Sequence, residues 1–265
     1  MAFSSDFVSL GALVKLGSLQ KQDVLEVANK PGRLEDLAVF AESWRAVESK
    51  KGVADAQSLR GKIRYAEGLS LGRVAAPLAH SLSLWTKEAH VRRVPSSLKQ
   101  LIEVTIGSLV SIGPKTVRFG STRPPIIVFS DGACEESGTS VGAVLFEYGH
   151  APEFFGADLP IDLIESWYTK DLQKQVIGQA ELFPLLVARL TWSERLRNRR
   201  ALYFIDSESA RWAMVKGYSP VFPSLMIVAD CLSFDAKECS SAWYARVPTE
   251  CNVADQPSRL WCRPC

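Results

Sequence analysis

Pro125-Ile126-Ile127-Val128-Phe129-Ser130-Asp131-Gly132-Ala133 decides how the second half of the chain is read. Four consecutive apolar residues, β-branched or aromatic, describe a short strand of the kind buried on both faces. The run passes into Ser130-Asp131-Gly132, so the strand is expected to end there with a carboxylate just beyond it. The same ending recurs downstream, where Ala201-Leu202-Tyr203-Phe204-Ile205 runs into Asp206-Ser207. Working outward, 141–148 and 153–157 read as two more strands and 242–247 as a fifth. Helical spacing covers 179–196, with Leu182, Leu185, Leu186, Leu190 and Trp192 inward, and then 207–215 and 225–237. Three strands, a helix, a strand, two helices and a strand make a mixed α/β unit, its sheet too hydrophobic to be covered on one face only.

Upstream the character differs. Residues 7–14 are apolar and β-prone, and Asn29-Lys30-Pro31-Gly32 signals a turn. From Arg33, Leu34, Leu37, Ala38, Ala41, Trp44 and Val47 fall on one helical face. A second helix is expected over 55–68, with Leu59, Ile63 and Ala66 inward and Arg60, Lys62 and Arg64 outward. A third spans about 74–90, and a fourth follows Pro95, aligning Leu98, Leu101, Ile102, Thr105 and Leu109. Residues 33–110 thus read as a bundle of four helices. Gly113-Pro114 and the stretch 120–125 punctuate the chain, dividing it into a mainly helical part, 1–120, and an α/β part, 121–265.

Composition sets the limits. Of 265 residues, 47% are hydrophobic and 23% charged, ordinary values for a globular protein. Residues 1–11 have no basic region ahead of an apolar core, and no apolar run approaches bilayer length. The expectation is the cytosol or nucleus, with no membrane partner. Six cysteines without a secretory signal read as thiols; Cys262 and Cys265 form a CxxC, but only Cys251 lies near enough to join them in a zinc site. The net charge of +2 conceals an asymmetry: 17 Lys/Arg against 11 Asp/Glu in residues 1–120, and 14 against 18 in 121–265. A basic part beside an acidic one suits a polyanion-gripping module next to a carboxylate site, though solvated surfaces alone account for it equally well.

Four acids draw attention. Asp131 and Asp206 follow buried strands, where α/β sheets place ligands, although Asp-Gly is also a turn and Asp-Ser a helix cap. Glu181 lies near a helix start at the edge of its apolar face, and Asp255 sits in the loop Asn252-Val253-Ala254-Asp255-Gln256-Pro257. The spacings are 50, 25 and 49 residues. If the fold gathers them, unit charges about 4 Å apart repel by roughly 4 kcal/mol per pair at an effective dielectric near 20. Such a cluster requires protonation or divalent cations, and oxygen-only donors favour Mg²⁺ or Mn²⁺. Two such ions would clamp the attacking and leaving oxygens of a phosphodiester displacement.

Phe129-Ser130-Asp131-Gly132-Ala133, Gln179-Ala180-Glu181-Leu182, Phe204-Ile205-Asp206-Ser207, and Val247-Pro248, Asn252 and Ala254-Asp255-Gln256-Pro257-Ser258-Arg259 together resemble the ribonuclease H domain of retroelement reverse transcriptases, in the retrotransposon-type version. The resemblance covers about 126–260. It implies a five-stranded mixed sheet flanked by helices and hydrolysis of the RNA strand of RNA–DNA hybrids with two Mg²⁺ ions, for which Mn²⁺ can substitute. It assigns Asp131 to both metals, Glu181 and Asp206 to complete the shell, and Asp255 to the second metal. Residues 1–120 resemble, more weakly, the end of a polymerase palm followed by thumb and connection, which implies the rest of a reverse transcriptase as a partner. A Tyr-x-Asp-Asp motif is missing, so DNA synthesis by this chain alone is not expected. No histidine lies between the last strand and Asp255, a departure from many relatives. The segment 161–176, with Trp167 and Tyr168, reads as a packed short helix or as a substrate-facing loop.

Substrate contacts are assigned to Gln179 and Ser207 beside the acids, with Arg246, Arg259 and the Arg60, Lys62, Arg64 face meeting phosphates. Each has an ordinary reading as solvated surface or helix cap. Two other enzyme classes fit less well. An integrase would end its acidic set with a helical Glu, and a proofreading exonuclease would open with Asp-x-Glu, where position 133 is Ala. The remaining alternative is a non-catalytic nucleic-acid-binding remnant or scaffold module of a larger polymerase.

Overall fold

The computed structural model describes residues 5–17, 19, 24–87, 90–118, 123–135, 138–168 and 176–259. The chain divides into two compact units, residues 1–122 and 123–265. No helix among the described residues is long and apolar enough to cross a membrane.

The first unit holds the four expected helices, α1 (Arg33–Arg45), α2 (Val53–Gly68), α3 (Ala76–Trp85) and α4 (Ser96–Ser111). Their apolar stripes meet in a core that fully buries Trp44, Leu59, Ile63, Leu78, Leu82, Leu101, Ile102 and Leu109. A sheet absent from the sequence reading accompanies them: β1 (Asp6–Ser9), β2 (Ala12–Lys15), β3 (Val24–Asn29) and β6 (Lys115–Arg118), antiparallel throughout. The apolar stretch 7–14 is a hairpin, because Leu10 and Gly11 both take positive φ (48° and 78°) and reverse the chain. A two-residue ribbon, β4 (Lys50–Lys51) with β5 (Arg92–Arg93), completes the unit.

The second unit is α/β, a mixed five-stranded sheet flanked by helices, as expected. Its strands are β7 (Ile126–Glu135), β8 (Gly138–Phe146), β9 (Glu153–Asp158), β10 (Arg200–Ile205) and β11 (Ser241–Arg246), in the order β11-β10-β7-β8-β9. β7, β8 and β9 are antiparallel, while β10 and β11 run parallel to β7. The helices are α5 (Ile161–Ser166), α6 (Ile177–Thr191), α7 (Ser193–Leu196), α8 (Glu208–Lys216), α9 (Phe222–Lys237) and α10 (Asp255–Ser258).

Three expectations need correction. The first strand does not end at Phe129: β7 continues to Glu135 in register with β8, so Asp131 stands within the central strand. Gly132 is no turn residue; a Cβ there would lie 2.1 Å from the Ala180 carbonyl oxygen, so glycine is what lets β7 and α6 touch. Pro184 sharpens this, because a proline removes the amide that would bond the carbonyl four residues earlier, which is that of Ala180. The helix expected over 179–196 breaks at Trp192, and its inward stripe carries fully buried Arg189 while Leu190 is 61% exposed. In the 161–176 segment, Trp167 is buried edge-on against Phe183, which agrees with packing rather than a loop, while Tyr168 is half-exposed. Residues 169–175 and the Cys262–Cys265 pair lie outside the described residues.

Candidate metal centre

The sheet register creates the site. β10 runs parallel to β7 with Ile205 opposite Ser130, so Asp206, the next residue, emerges level with Asp131 on the neighbouring strand. The contact between Gly132 and Ala180 draws α6 down onto β7, and Glu181 follows Ala180 directly. Carboxylate oxygens of Asp131, Glu181 and Asp206 consequently lie within 4.8 Å of one another.

Asp131 is held from below. It is 6% exposed, and Ser258 Oγ donates a short hydrogen bond to its Oδ2. Asn252 Nδ2 donates to Oδ1 at 3.4 Å and to the Ser130 carbonyl at 3.2 Å, while Asn252 Oδ1 accepts from the Ala254 amide. Ser258 is itself seated on β8, its carbonyl accepting from Ser140 Oγ at 2.6 Å. Gly142 makes that possible. It pairs with Asp131 across the β7–β8 ladder, and a Cβ there would lie 2.3 Å from the Ser258 amide nitrogen. The segment from Asn252 to Ser258 is therefore a buttress that aims one carboxylate.

Above the buttress the site lacks compensation. Glu181 Oε2 and Asp206 Oδ1 are buried without a hydrogen-bond partner. Burial, then the charges of Asp131 and Asp206, push the Glu181 carboxyl up to about 8. Burial also raises Asp131; the Ser258 hydrogen bond opposes this and the charges of Asp206 and Asp255 add to it. A buried acceptor left unpaired costs about 1–3 kcal/mol, more when charged. Hard oxygen donors converging with spare lone pairs fit a divalent cation of the Mg²⁺ or Mn²⁺ type.

Asp255 stands one step away. It opens α10, close enough to raise Asp131, but its Oδ1 is paired with Arg259 Nε at 2.9 Å, and it is not one of the three converging acids. Arg259 also holds Glu135 at 2.9 Å and so bridges two carboxylates. Ser207 caps α8, accepting from the Ala210 amide at 3.4 Å. Gln179 is 2% exposed on the first turn of α6. Arg246 is exposed on β11, with Glu208 within electrostatic reach. On α2, Arg60, Lys62 and Arg64 are exposed; Lys62 lies over the Phe40 ring and Arg64 pairs with Glu67.

Sequence reasoning missed the device that joins the acid-bearing elements from within. Arg189 on α6 is fully buried and forms a bidentate pair with Asp235 of α9 at 2.9 and 3.0 Å. It also donates to Tyr244 on β11 and lies 4.2 Å from the Tyr203 ring centroid on β10. The available signal was an arginine four residues after Leu185, on the apolar stripe.

Comparison with known proteins gives a limited result. No family model matches the chain, and no curated protein matches it. Among solved structures it is similar to ribonuclease H1 from the archaeon Halobacterium salinarum, with 16% identity, a TM-score of 0.37, and coverage of 51% of this chain and 94% of that one. The N-terminal ribonuclease H domain of a Mycobacterium tuberculosis protein, solved as a fusion with maltose-binding protein, gives 16%, 0.37, 51% and 90%. A foamy viral protease-reverse transcriptase solved with an RNA/DNA hybrid gives 12% and 0.32, and covers 94% of this chain but 30% of its own length.

Proposed function

We propose that this chain is a divalent-metal-dependent ribonuclease H that hydrolyses the RNA strand of RNA–DNA hybrids, as part or remnant of a retroelement reverse transcriptase. One observation carries the reading: three carboxylates from β7, α6 and the end of β10 converge within 4.8 Å, and two of their buried oxygens have no partner. The ordered motif around Asp131, Glu181, Asp206 and Asp255 and the mixed sheet support the same reading. On this view residues 1–120 are a thumb- and connection-like region, a reading that accords with their helices and basic charge.

Asp131, Glu181 and Asp206 would hold the cations, with Asp255 completing the set when it leaves Arg259. When bound, two such ions supply a nucleophilic water and stabilise the leaving oxygen of the scissile phosphodiester. The chain's own part is positioning. Asn252 and Ser258 fix the Asp131 carboxylate before any ligand arrives, so little reorganisation accompanies binding. Glu181 gives up its proton as positive charge enters the site.

Cleavage of a labelled RNA–DNA hybrid in Mg²⁺ and in Mn²⁺, beside the Asp131→Asn protein, is the test. Cutting of the RNA strand alone, lost in EDTA and in the variant, is the expected outcome. A folded wild type that binds the hybrid and leaves it intact would overturn the hydrolase in favour of a non-catalytic binding module. Equal cutting by both proteins would show that the acid is wrongly assigned.

A further inference from the structure

In the first unit, the β1–β2 hairpin turn, the start of α1 and the middle of α2 enclose a cavity of about 470 Å³. Leu10, Leu37 and Gly61 supply apolar wall, while Lys30, Arg33 and Lys62 supply three cations. Sites for small molecules are usually of roughly 300–1,000 Å³, so the space suits a ligand of that kind.

Arg33 is fixed before any ligand arrives. Its guanidinium lies 4.2 Å from the Tyr65 ring centroid and packs on Gly11, where a Cβ would stand 2.1 Å from Nη2. Tyr65 is tied to the hairpin in turn, its hydroxyl donating a short hydrogen bond to the Leu10 carbonyl. Arg33 Nη1, however, is buried without a hydrogen-bond partner. A charged donor in that state costs free energy until an acceptor reaches it.

The walls are also short of negative charge. Asp36, exposed on α1, is the carboxylate that lines the cavity. Among the described residues, Lys30, Arg33, Lys62 and Asp36 form no ion pair. Lys62 Nζ rests 4.9 Å from the Phe40 ring centroid instead. Three cations and one carboxylate leave the lining with a formal charge of +2. A phosphate monoester carries about −1.5 to −2 near neutral pH, whereas a carboxylate or a backbone phosphodiester carries a single charge. The guanidinium fork also matches the spacing of phosphate oxygens.

We propose that this cavity binds a phosphate monoester of nucleotide size, with Arg33 Nη1 as the central donor and Lys30 and Lys62 as flanking cations. Leu10 and Leu37 lie against the uncharged part of the ligand. The site is wholly within the first unit and is independent of the hydrolase proposed above.

Calorimetric titration of the full chain with adenosine 5′-monophosphate, in EDTA so that the acidic centre takes up no cation, tests the assignment. Saturable binding tighter than about 1 mM is expected, with adenosine itself not binding. Arg33→Ala should weaken binding about 10- to 100-fold, and Lys30→Ala about 3- to 10-fold. Asp36→Asn should tighten it about two- to tenfold by removing a repelling charge, a gain that misfolding cannot produce. Competition by a short DNA strand bearing a 5′-phosphate or a 5′-hydroxyl identifies the source of the monoester. Displacement by the phosphorylated strand alone supports the site with a strand terminus as its ligand, and displacement by neither supports it with a free small molecule. Absence of binding by adenosine 5′-monophosphate, unchanged affinity in Asp36→Asn, or equal displacement by both strands would overturn the proposal.

Discussion

Replacing Asp206 with asparagine should stabilise the metal-free protein while abolishing its response to metal. Asp206 shares the site with Asp131 and Glu181, all three within 4.8 Å. At an effective dielectric near 20, two ionised carboxylates at that separation repel by about 3.5 kcal/mol. Glu181, raised to about 8, is mostly protonated at neutral pH, so the Asp131–Asp206 pair dominates. Asp206 is half-buried and partly screened, which reduces the expected gain to about 1–2 kcal/mol. That corresponds to a rise in Tm of about 3–6 °C for a unit of this size. The pH dependence has a definite sign. Glu181 titrates at about 8 in the folded protein against 4.5 when unperturbed, so its stabilising contribution is complete below 4.5 and is lost as pH rises through about 8. Metal-free wild type should lose stability across that window, and the Asn variant should lose less because one of the charges raising Glu181 is gone. Thermal unfolding followed by circular dichroism in EDTA and in excess Mg²⁺, from pH 5 to 8.5, measures all of this. An Asn variant no more stable than wild type in EDTA, or one that Mg²⁺ still stabilises equally, would refute the electrostatic account of the site.

Other substitutions probe the supports. Arg189→Met leaves Asp235 buried without its cation and should cost about 3–5 kcal/mol in urea unfolding, with Arg189→Met/Asp235→Leu recovering much of it. Gly132→Ala forces a Cβ against the Ala180 carbonyl and should cost about 1–3 kcal/mol while reducing cleavage more than stability, since Glu181 shifts with α6; Gly107→Ala, in open space on α4, should be neutral or stabilising. Ser258→Ala removes the hydrogen bond that lowers Asp131, so the acidic limb of the cleavage-against-pH profile should move to higher pH.

The α/β half was legible because its strands carry short-range information. Ile126–Phe129 and Ala201–Ile205 are continuous apolar runs, and the helices between them have clear stripes. Three parts were not. β3 (Val-Leu-Glu-Val-Ala-Asn) mixes polar and apolar residues and is stabilised by pairing with β2 and β6, the latter nearly ninety residues away. The hairpin at Leu10-Gly11 lacks the usual Asn-Gly signal, since leucine occupies a left-handed position. Gly132 was misread because glycine after aspartate signals a turn locally, while its reason for being glycine is a helix carbonyl from residue 180.

The acids themselves were legible as a set, but what aims them was not, and the difference is physical. An acid's type and order survive in the sequence whatever the register, whereas its direction depends on contacts between residues far apart. Asp131 is fixed by Asn252 and Ser258, more than a hundred residues downstream, and that contact exists only because Gly142 lets the segment lie on β8. Written as a motif, Asn252-x-Ala254-Asp255-x-Pro257-Ser258-Arg259 reads as a setting for its acid. Structurally, Asn252 and Ser258 grip Asp131, and Arg259 restrains Asp255. The motif's polar residues therefore prepare two carboxylates, one by orientation and one by restraint. A change at Arg259 that freed Asp255 should add a fourth negative charge to the site and tighten cation binding. Arg259→Gln titrated with Mn²⁺ by calorimetry should bind about two- to tenfold more tightly than wild type, the range of a coupling of about 0.5–1.4 kcal/mol. Weaker binding would mean that Arg259 positions Asp255 for the metal rather than withholding it.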